Sequence, residues 1–349
     1  MADPAVQRFL LRRVLSLPPA ALRALSGGGV VHRGGRTLDP RFQYLWKAWT
    51  NPGAMETLSP DEARIAWAEL IATAGPERPR TVKAETLLLD GPGGTLTCCL
   101  HRPSDHNGAP MIVFLHDGGW VAGGVEESQA IASILAEATR TAVLVPEYRR
   151  APEHRFPAAF EDAMAAVRWA REAGGRYGCA EDDVTVAGLS NGAGMAAAVC
   201  LELKRAGEPQ PRRQVLVTPI LDAAGEGQSM NLHADAWPMS VEALRWVMRH
   251  YLGPEADPAD LRLSPFRARD LAGLAPAVIV AAGFDPVADQ AEAYARKLQA
   301  AGVPVTFRLF DALPHSFPQF GGLVPAADTA WRAVGRLARI DSPRKNGGK

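Results

Sequence analysis

Gly188-Leu189-Ser190-Asn191-Gly192 fits the pattern G-x-S-x-G, a serine with a glycine two positions away on either side. That spacing suits a sharp strand-to-helix turn. The glycines let the two elements approach closely, and the serine takes a strained conformation with its hydroxyl projecting. The flanks agree: Thr185 to Ala187 are short, apolar and β-branched, and Ala193 to Leu203 form a helix-length apolar stretch before Lys204, Arg205 and Gly207. The chemistry this offers is nucleophilic. A serine hydroxyl is a weak nucleophile near neutral pH, so it needs a histidine to take its proton and a carboxylate to hold that histidine in the right tautomer.

Both partners are found downstream. Ala277 to Ala282 reads as a fully buried strand followed by Gly283-Phe284-Asp285-Pro286, which puts Asp285 at the strand's carboxyl end. Val303 to Phe310 alternates like another strand, and Asp311 to Phe317 reads as the loop after it, carrying His315. The order Ser, Asp, His is that of the α/β-hydrolase arrangement, with each residue after a sheet strand. Asp289 is a competing carboxylate. With a helix starting after Pro286 it falls in the first turn, where an acid favours the helix dipole, so Asp285 is preferred.

A serine nucleophile also needs backbone N–H donors facing the charge that develops on the attacked carbonyl. Pro110 to Leu115 is a buried strand that runs into His116-Asp117-Gly118-Gly119-Trp120, similar to the HGGG-type loop of lipases and esterases. The expected donors are the N–H groups of Gly118, Gly119 and Asn191, the residue after the nucleophile.

With these parts in place, the chain resembles the hormone-sensitive-lipase family of α/β-hydrolases, microbial carboxylesterases carrying H-G-G-G and G-x-S-x-G. Glu147 to Ala159, with Tyr148-Arg149-Arg150-Ala151-Pro152-Glu153-His154 within it, is similar to the family's Y-R-L-A-P-E-H-x-F-P-A-A segment. Asp285-Pro286-Val287-Ala288-Asp289 looks like the family's D-P-L-x-D around the catalytic acid. The likeness runs from about Lys83 to about Gly321. It implies a helical cap over the active site, short acyl substrates, and homodimerisation through the final strand.

Three departures stand out. Asp117 replaces a glycine beside the oxyanion donors, and an inward carboxylate would oppose the negative transition state, so it is expected to point away. Leu189 and Asn191 stand where the family commonly has Asp or Thr and then Ala. The larger Asn191 side chain is expected to narrow the substrate pocket.

The 349 residues carry 38 basic and 38 acidic side chains, so nothing in the charge favours nucleic acid. Cys98, Cys99, Cys179 and Cys200 show no C-x-x-C spacing and are too few for a disulfide framework, which suits a reducing cytoplasm. Phe9 to Leu25 is interrupted by Arg12, Arg13, Pro18, Pro19 and Arg23, so no stable membrane insertion is expected. Neither a metal nor an organic cofactor is required.

Strands near 82–90, 94–103, 110–116, 142–148, 184–189, 213–219, 277–283 and 303–310 alternate with helix-length segments. The pattern predicts an α/β fold with a mostly parallel eight-stranded sheet flanked by helices. Asp90 to Gly94 is a turn signal for an antiparallel hairpin at its start. Residues 1–60 and 222–262 break the alternation. The second region carries Trp237, Val241, Leu244, Trp246, Val247 and Tyr251 in an amphipathic helical pattern. The expected organisation is cap helices over 1–60, catalytic core over 61–221 and 263–340, a cap insertion over 222–262, and a flexible tail over 341–349. The expected function is a serine carboxylesterase hydrolysing short-chain acyl esters through an acyl-enzyme. An amidase or formamidase with the same triad, and a catalytically weak small-molecule-binding protein of the same fold, are the alternatives.

Overall fold

The computed structural model describes residues 3–48, 54–106 and 108–340; the tail expected over 341–349 lies outside the described residues. The chain opens with helices α1 (Pro4–Leu15) and α2 (Pro19–Leu25), a ribbon of β1 (His32–Arg33) and β2 (Arg36–Thr37), and helices α3 (Pro40–Ala48) and α4 (Pro60–Ala74). There follow β3 (Val82–Gly91), β4 (Gly94–Pro103), β5 (Met111–Leu115), α5 (Val125–Thr139), β6 (Val143–Pro146), α6 (Ala158–Ala173), β7 (Val184–Leu189) and α7 (Asn191–Arg205). The last stretch holds β8 (Arg213–Val217), α8 (Gln228–Leu232), α9 (Val241–Tyr251), β9 (Ala277–Phe284), α10 (Ala288–Ala300), β10 (Val305–Pro314) and α11 (Pro325–Ala338).

Strands β3 to β10 form one eight-stranded sheet in the order β10-β9-β8-β7-β5-β6-β4-β3. Only β4 runs against its neighbours, pairing antiparallel with β3 and β6, while the other five pairings are parallel. The hairpin predicted at Asp90 to Gly94 is the β3–β4 turn, closed at Gly91 opposite Gly94. Strands β5, β7 and β9 are buried along their whole length. Helices cover both faces of the sheet, which is why these strands read as unbroken apolar runs. Along β5, Met111, Val113 and Leu115 join the core cluster that contains residues of α6, α7 and α10. Ile112 and Phe114 point the other way, into the cluster with α5 and α11. Leu15, Leu22, Leu38, Phe42 and Leu45 of the N-terminal region join that second cluster.

One boundary differs from expectation. The last strand does not end at Phe310 but continues to Pro314, with a register irregularity between Phe310 and Pro314 and renewed pairing of Pro314 with Phe284. The bulge absorbs the break in alternation. It carries the strand to the residue just before His315 and brings that histidine level with the end of β9. The apolar stretch near the N-terminus is split at Pro18 into α1 and α2, and no described helix is long and apolar enough to cross a membrane.

Candidate active site

The loops after β5, β7, β9 and β10 meet at the carboxyl edge of the sheet, the usual location of ligand sites in open α/β sheets. Ser190 lies between β7 and α7 with φ 56° and ψ −120°, a left-handed conformation that costs a non-glycine residue about 1–3 kcal/mol. Neighbouring backbone holds it there. Ser190 N–H donates to the Val217 carbonyl at 2.9 Å, and the Ser190 carbonyl accepts from the N–H groups of Ala193, Gly194 and Ile220. The flanking glycines are required by contact: a Cβ on Gly188 would lie 2.2 Å from the Gly192 carbonyl oxygen, and one on Gly192 would lie 2.1 Å from that of Leu115.

The structure brings Ser190, His315 and Asp285 together. His315 Nε2 is 2.7 Å from Ser190 Oγ, and His315 Nδ1 is 2.9 Å from Asp285 Oδ2. The other Asp285 oxygen accepts the Val287 N–H at 2.9 Å, and all three side chains are buried. The carboxylate fixes Nδ1 as the protonated nitrogen, which leaves Nε2 to accept the serine proton. Asp289 is occupied elsewhere. It lies in the first turn of α10, as expected, and its carboxylate accepts from both the hydroxyl and the N–H of Ser229 in α8.

After β5, Gly118 has φ +116°, and a Cβ there would lie 2.1 Å from the Ala122 carbonyl oxygen, so this turn admits only glycine without rearrangement. Among the described residues, the Gly118 N–H and the Asn191 N–H have no hydrogen-bond partner. Asn191 is the first residue of α7, so its N–H is one of the donors a helix leaves unsatisfied at its start. Gly119 differs from expectation, because its N–H already donates to Asn191 Oδ1 at 2.9 Å. The expectation for the Asn191 side chain is also corrected. It is fully buried and turns behind the loop, where Nδ2 donates to the Tyr148 hydroxyl at 3.0 Å, and it does not narrow the cavity.

Asp117 points away from the cavity, as expected. Its Oδ1 accepts from Gln319 Nε2 at 2.8 Å, and its Oδ2 has no partner. Burial pushes its carboxyl up to about 6, against the opposing influence of the hydrogen bond from Gln319. His116 is driven down to about 4, chiefly by burial, and stays neutral. Its ring stacks on Tyr148 with centroids 3.9 Å apart.

A cavity of about 40 Å³ lies beside Ser190 and His315, walled by Gly118, Gly119, Ile220, Met55, Trp67, Pro238, Met239, Ala243 and Val247. Met55, Trp67, Pro238 and Ala243 also wall a larger apolar cavity of about 370 Å³, which reaches Trp46, Leu70 and Trp237.

The chain is similar to known proteins along most of its length. The family Abhydrolase_3, alpha/beta hydrolase fold, matches residues 112–319. Carboxylic ester hydrolase LipN of Mycobacterium tuberculosis is 37% identical over 310 residues, covering 86% of this chain and 82% of that protein. The chain belongs to the hormone-sensitive-lipase-like family of carboxylesterases. It is a carboxylic ester hydrolase by kinship. Ethyl acetate hydrolase of Pseudomonas putida is 32% identical over 279 residues, covering 78% of this chain and 88% of that one. A solved thermostable esterase from Pseudomonas putida superposes with a TM-score of 0.81 at 31% identity, covering 86% and 96% of the two chains.

Several residues of this esterase's site were not singled out from the sequence. Gln319, in the short 3-10 turn Phe317–Phe320 that follows His315, holds Asp117. Arg64 of α4 donates to the Val121 and Ala151 carbonyls and pairs with Glu153, bracing the Gly-rich loop against the Tyr148–His154 segment. Trp67 and Met55 reach the cavity from far away in the chain, and no local pattern marks them.

Proposed function

We propose that this esterase hydrolyses short-chain acyl esters, with Ser190 as nucleophile, His315 as general base and acid, and Asp285 as the group that orients and stabilises the imidazolium. The observation that carries the reading is the continuous line from Ser190 Oγ to His315 to Asp285, with contacts of 2.7 and 2.9 Å. Ser190 Oγ attacks the ester carbonyl as His315 Nε2 takes its proton, and the oxygen of the tetrahedral intermediate is met by the N–H groups of Gly118 and Asn191. His315 returns the proton to the departing alcohol, and the acyl group stays on Ser190. Water then attacks the acyl-enzyme with His315 again as base, freeing the acid. Loss of one oxyanion donor costs about 2.7–4 kcal/mol of barrier in comparable sites.

Short acyl groups suit the cavity beside Ser190. About 40 Å³ holds on the order of three waters, the scale of an acetyl or propionyl group. Kinship to a protein named ethyl acetate hydrolase points the same way. The roof over that cavity comes from Met55 and from residues 238–247, which supports a cap built from residues 1–60 and 222–262 over a core of 61–221 and 263–340. Two contacts tie the cap regions together: Arg33 pairs with Asp235 at 2.5 Å, and Ser240 Oγ donates to Glu56 at 3.3 Å. We also propose a cytoplasmic location, which the four free, buried cysteines support. A homodimer through β10, which ends the sheet order, belongs to the same reading; a monomeric mass by light scattering would remove it.

The test is hydrolysis of nitrophenyl esters from acetyl to dodecanoyl, beside matched nitroanilides, by the parent and by Ser190→Ala. Serine-dependent ester turnover that falls off beyond short chains is expected. Faster turnover of the anilides would give the site to amide chemistry.

A further inference from the structure

We propose that the Asn191 side chain is a latch that holds the oxyanion loop in register with the nucleophile, so that Asn191 serves the reaction with its backbone N–H and positions the loop with its amide. The proposal rests on the esterase reading above. One side chain reaches both ends of the loop. Asn191 Oδ1 accepts the Gly119 N–H at 2.9 Å, and Asn191 Nδ2 donates to the Tyr148 hydroxyl at 3.0 Å. That hydroxyl in turn donates to the His116 carbonyl at 2.9 Å, and the Tyr148 ring stacks on His116. His116 and Gly119 bracket Asp117 and Gly118, so the Gly118 N–H is held between two fixed points.

The loop has freedom for such a device to remove. Gly118 and Gly119 both have positive φ, +116° and +64°, and glycine keeps more conformational freedom there than any other residue. The alanine that the resembled family commonly carries at this position has no atoms to reach Gly119. The network is fully buried at Asn191, His116 and Tyr148, where a satisfied polar group specifies geometry and an orphaned one is costly. The latch also commits the Gly119 N–H, so the two donors left for the oxyanion are those of Gly118 and Asn191.

Asn191→Ala, Tyr148→Phe and the double variant, assayed with nitrophenyl acetate and with an alkylboronic acid that forms a tetrahedral adduct on the serine, test the latch. A loosened hole acts on the transition state more than on ground-state binding, so Asn191→Ala is expected to lower kcat about ten- to a hundredfold with KM moved less than about twofold. Boronate inhibition should weaken by a similar factor. Tyr148→Phe should move both quantities in the same direction by less, and the double variant should be no worse than Asn191→Ala. An Asn191→Ala enzyme as active as the parent, with undiminished boronate binding, would overturn the latch. Should that variant not fold, boronate binding by Tyr148→Phe decides, and an unchanged inhibition constant overturns it. Failure of the esterase reading looks different: the parent and Ser190→Ala would then turn over the ester equally.

Discussion

Asp117 is a buried acid beside the oxyanion donors. Its carboxyl, ordinarily near 3.8, sits at about 6 in the fold because it is buried with one oxygen unpartnered. Between these values the folded chain keeps a proton that the unfolded chain releases. The stabilisation is therefore full below about pH 4 and is lost as pH rises through about 6. Asp117→Asn keeps the oxygen that accepts from Gln319 and removes the buried charge. It should raise unfolding free energy at pH 7.5 by on the order of 3 kcal/mol and give no gain at pH 4. Denaturant midpoints at the two pH values check this, and a variant less stable than the parent at pH 7.5 would contradict it. The residues meeting at Ser190 were legible because each follows an apolar strand and carries a side chain with a definite chemical task. The direction of the Asn191 side chain was not, because it depends on Tyr148 and Gly119, which are distant in sequence and adjacent only in the fold.

Among the elements, α4 and α9 set the size of the site. Trp67 of α4 lines both the cavity of about 40 Å³ at Ser190 and that of about 370 Å³ beside it, as do Met55, Pro238 and Ala243, while Val247 of α9 walls the smaller one. Trp67→Ala should join the two spaces and move the preferred nitrophenyl ester to a longer acyl chain, at a stability cost of about 3–5 kcal/mol. Relative rates across the chain-length series measure the shift, and an unchanged preference would show that the partition lies elsewhere. The helix α9 was legible from its periodicity, and its buried face includes Val241, Leu244, Trp246, Val247 and Tyr251 as the pattern required. The stack of Tyr251 on Trp120, at 4.4 Å, was not, since it joins α9 to the loop after β5, two segments far apart in the chain. The end of β10 was misread for a related reason. A bulge interrupts alternation without ending the strand, and only pairing with β9 reveals that it resumes at Pro314.

At the scale of the molecule, the sheet collects four loops along one edge and leaves their chemistry to a handful of side chains. Its eight strands and its antiparallel start were legible from alternation and from the Gly-rich turn. The insertion of β6 between β4 and β5 was not, because strand order depends on crossovers that hydrophobic pattern does not encode. The contacts between residues near 33–56 and 235–240 belong to the same class of long-range information. In the proposed function the sheet, its loops and the cap together make Ser190 nucleophilic. Phosphonylation tests it most directly: a nitrophenyl alkylphosphonate loses nitrophenolate as its phosphorus bonds to the attacking oxygen. The expected result is one nitrophenolate per chain, the added mass on the peptide containing Ser190, no reaction in Ser190→Ala, and a markedly slower reaction in His315→Ala. Label on another residue, or equal labelling of Ser190→Ala, would contradict it.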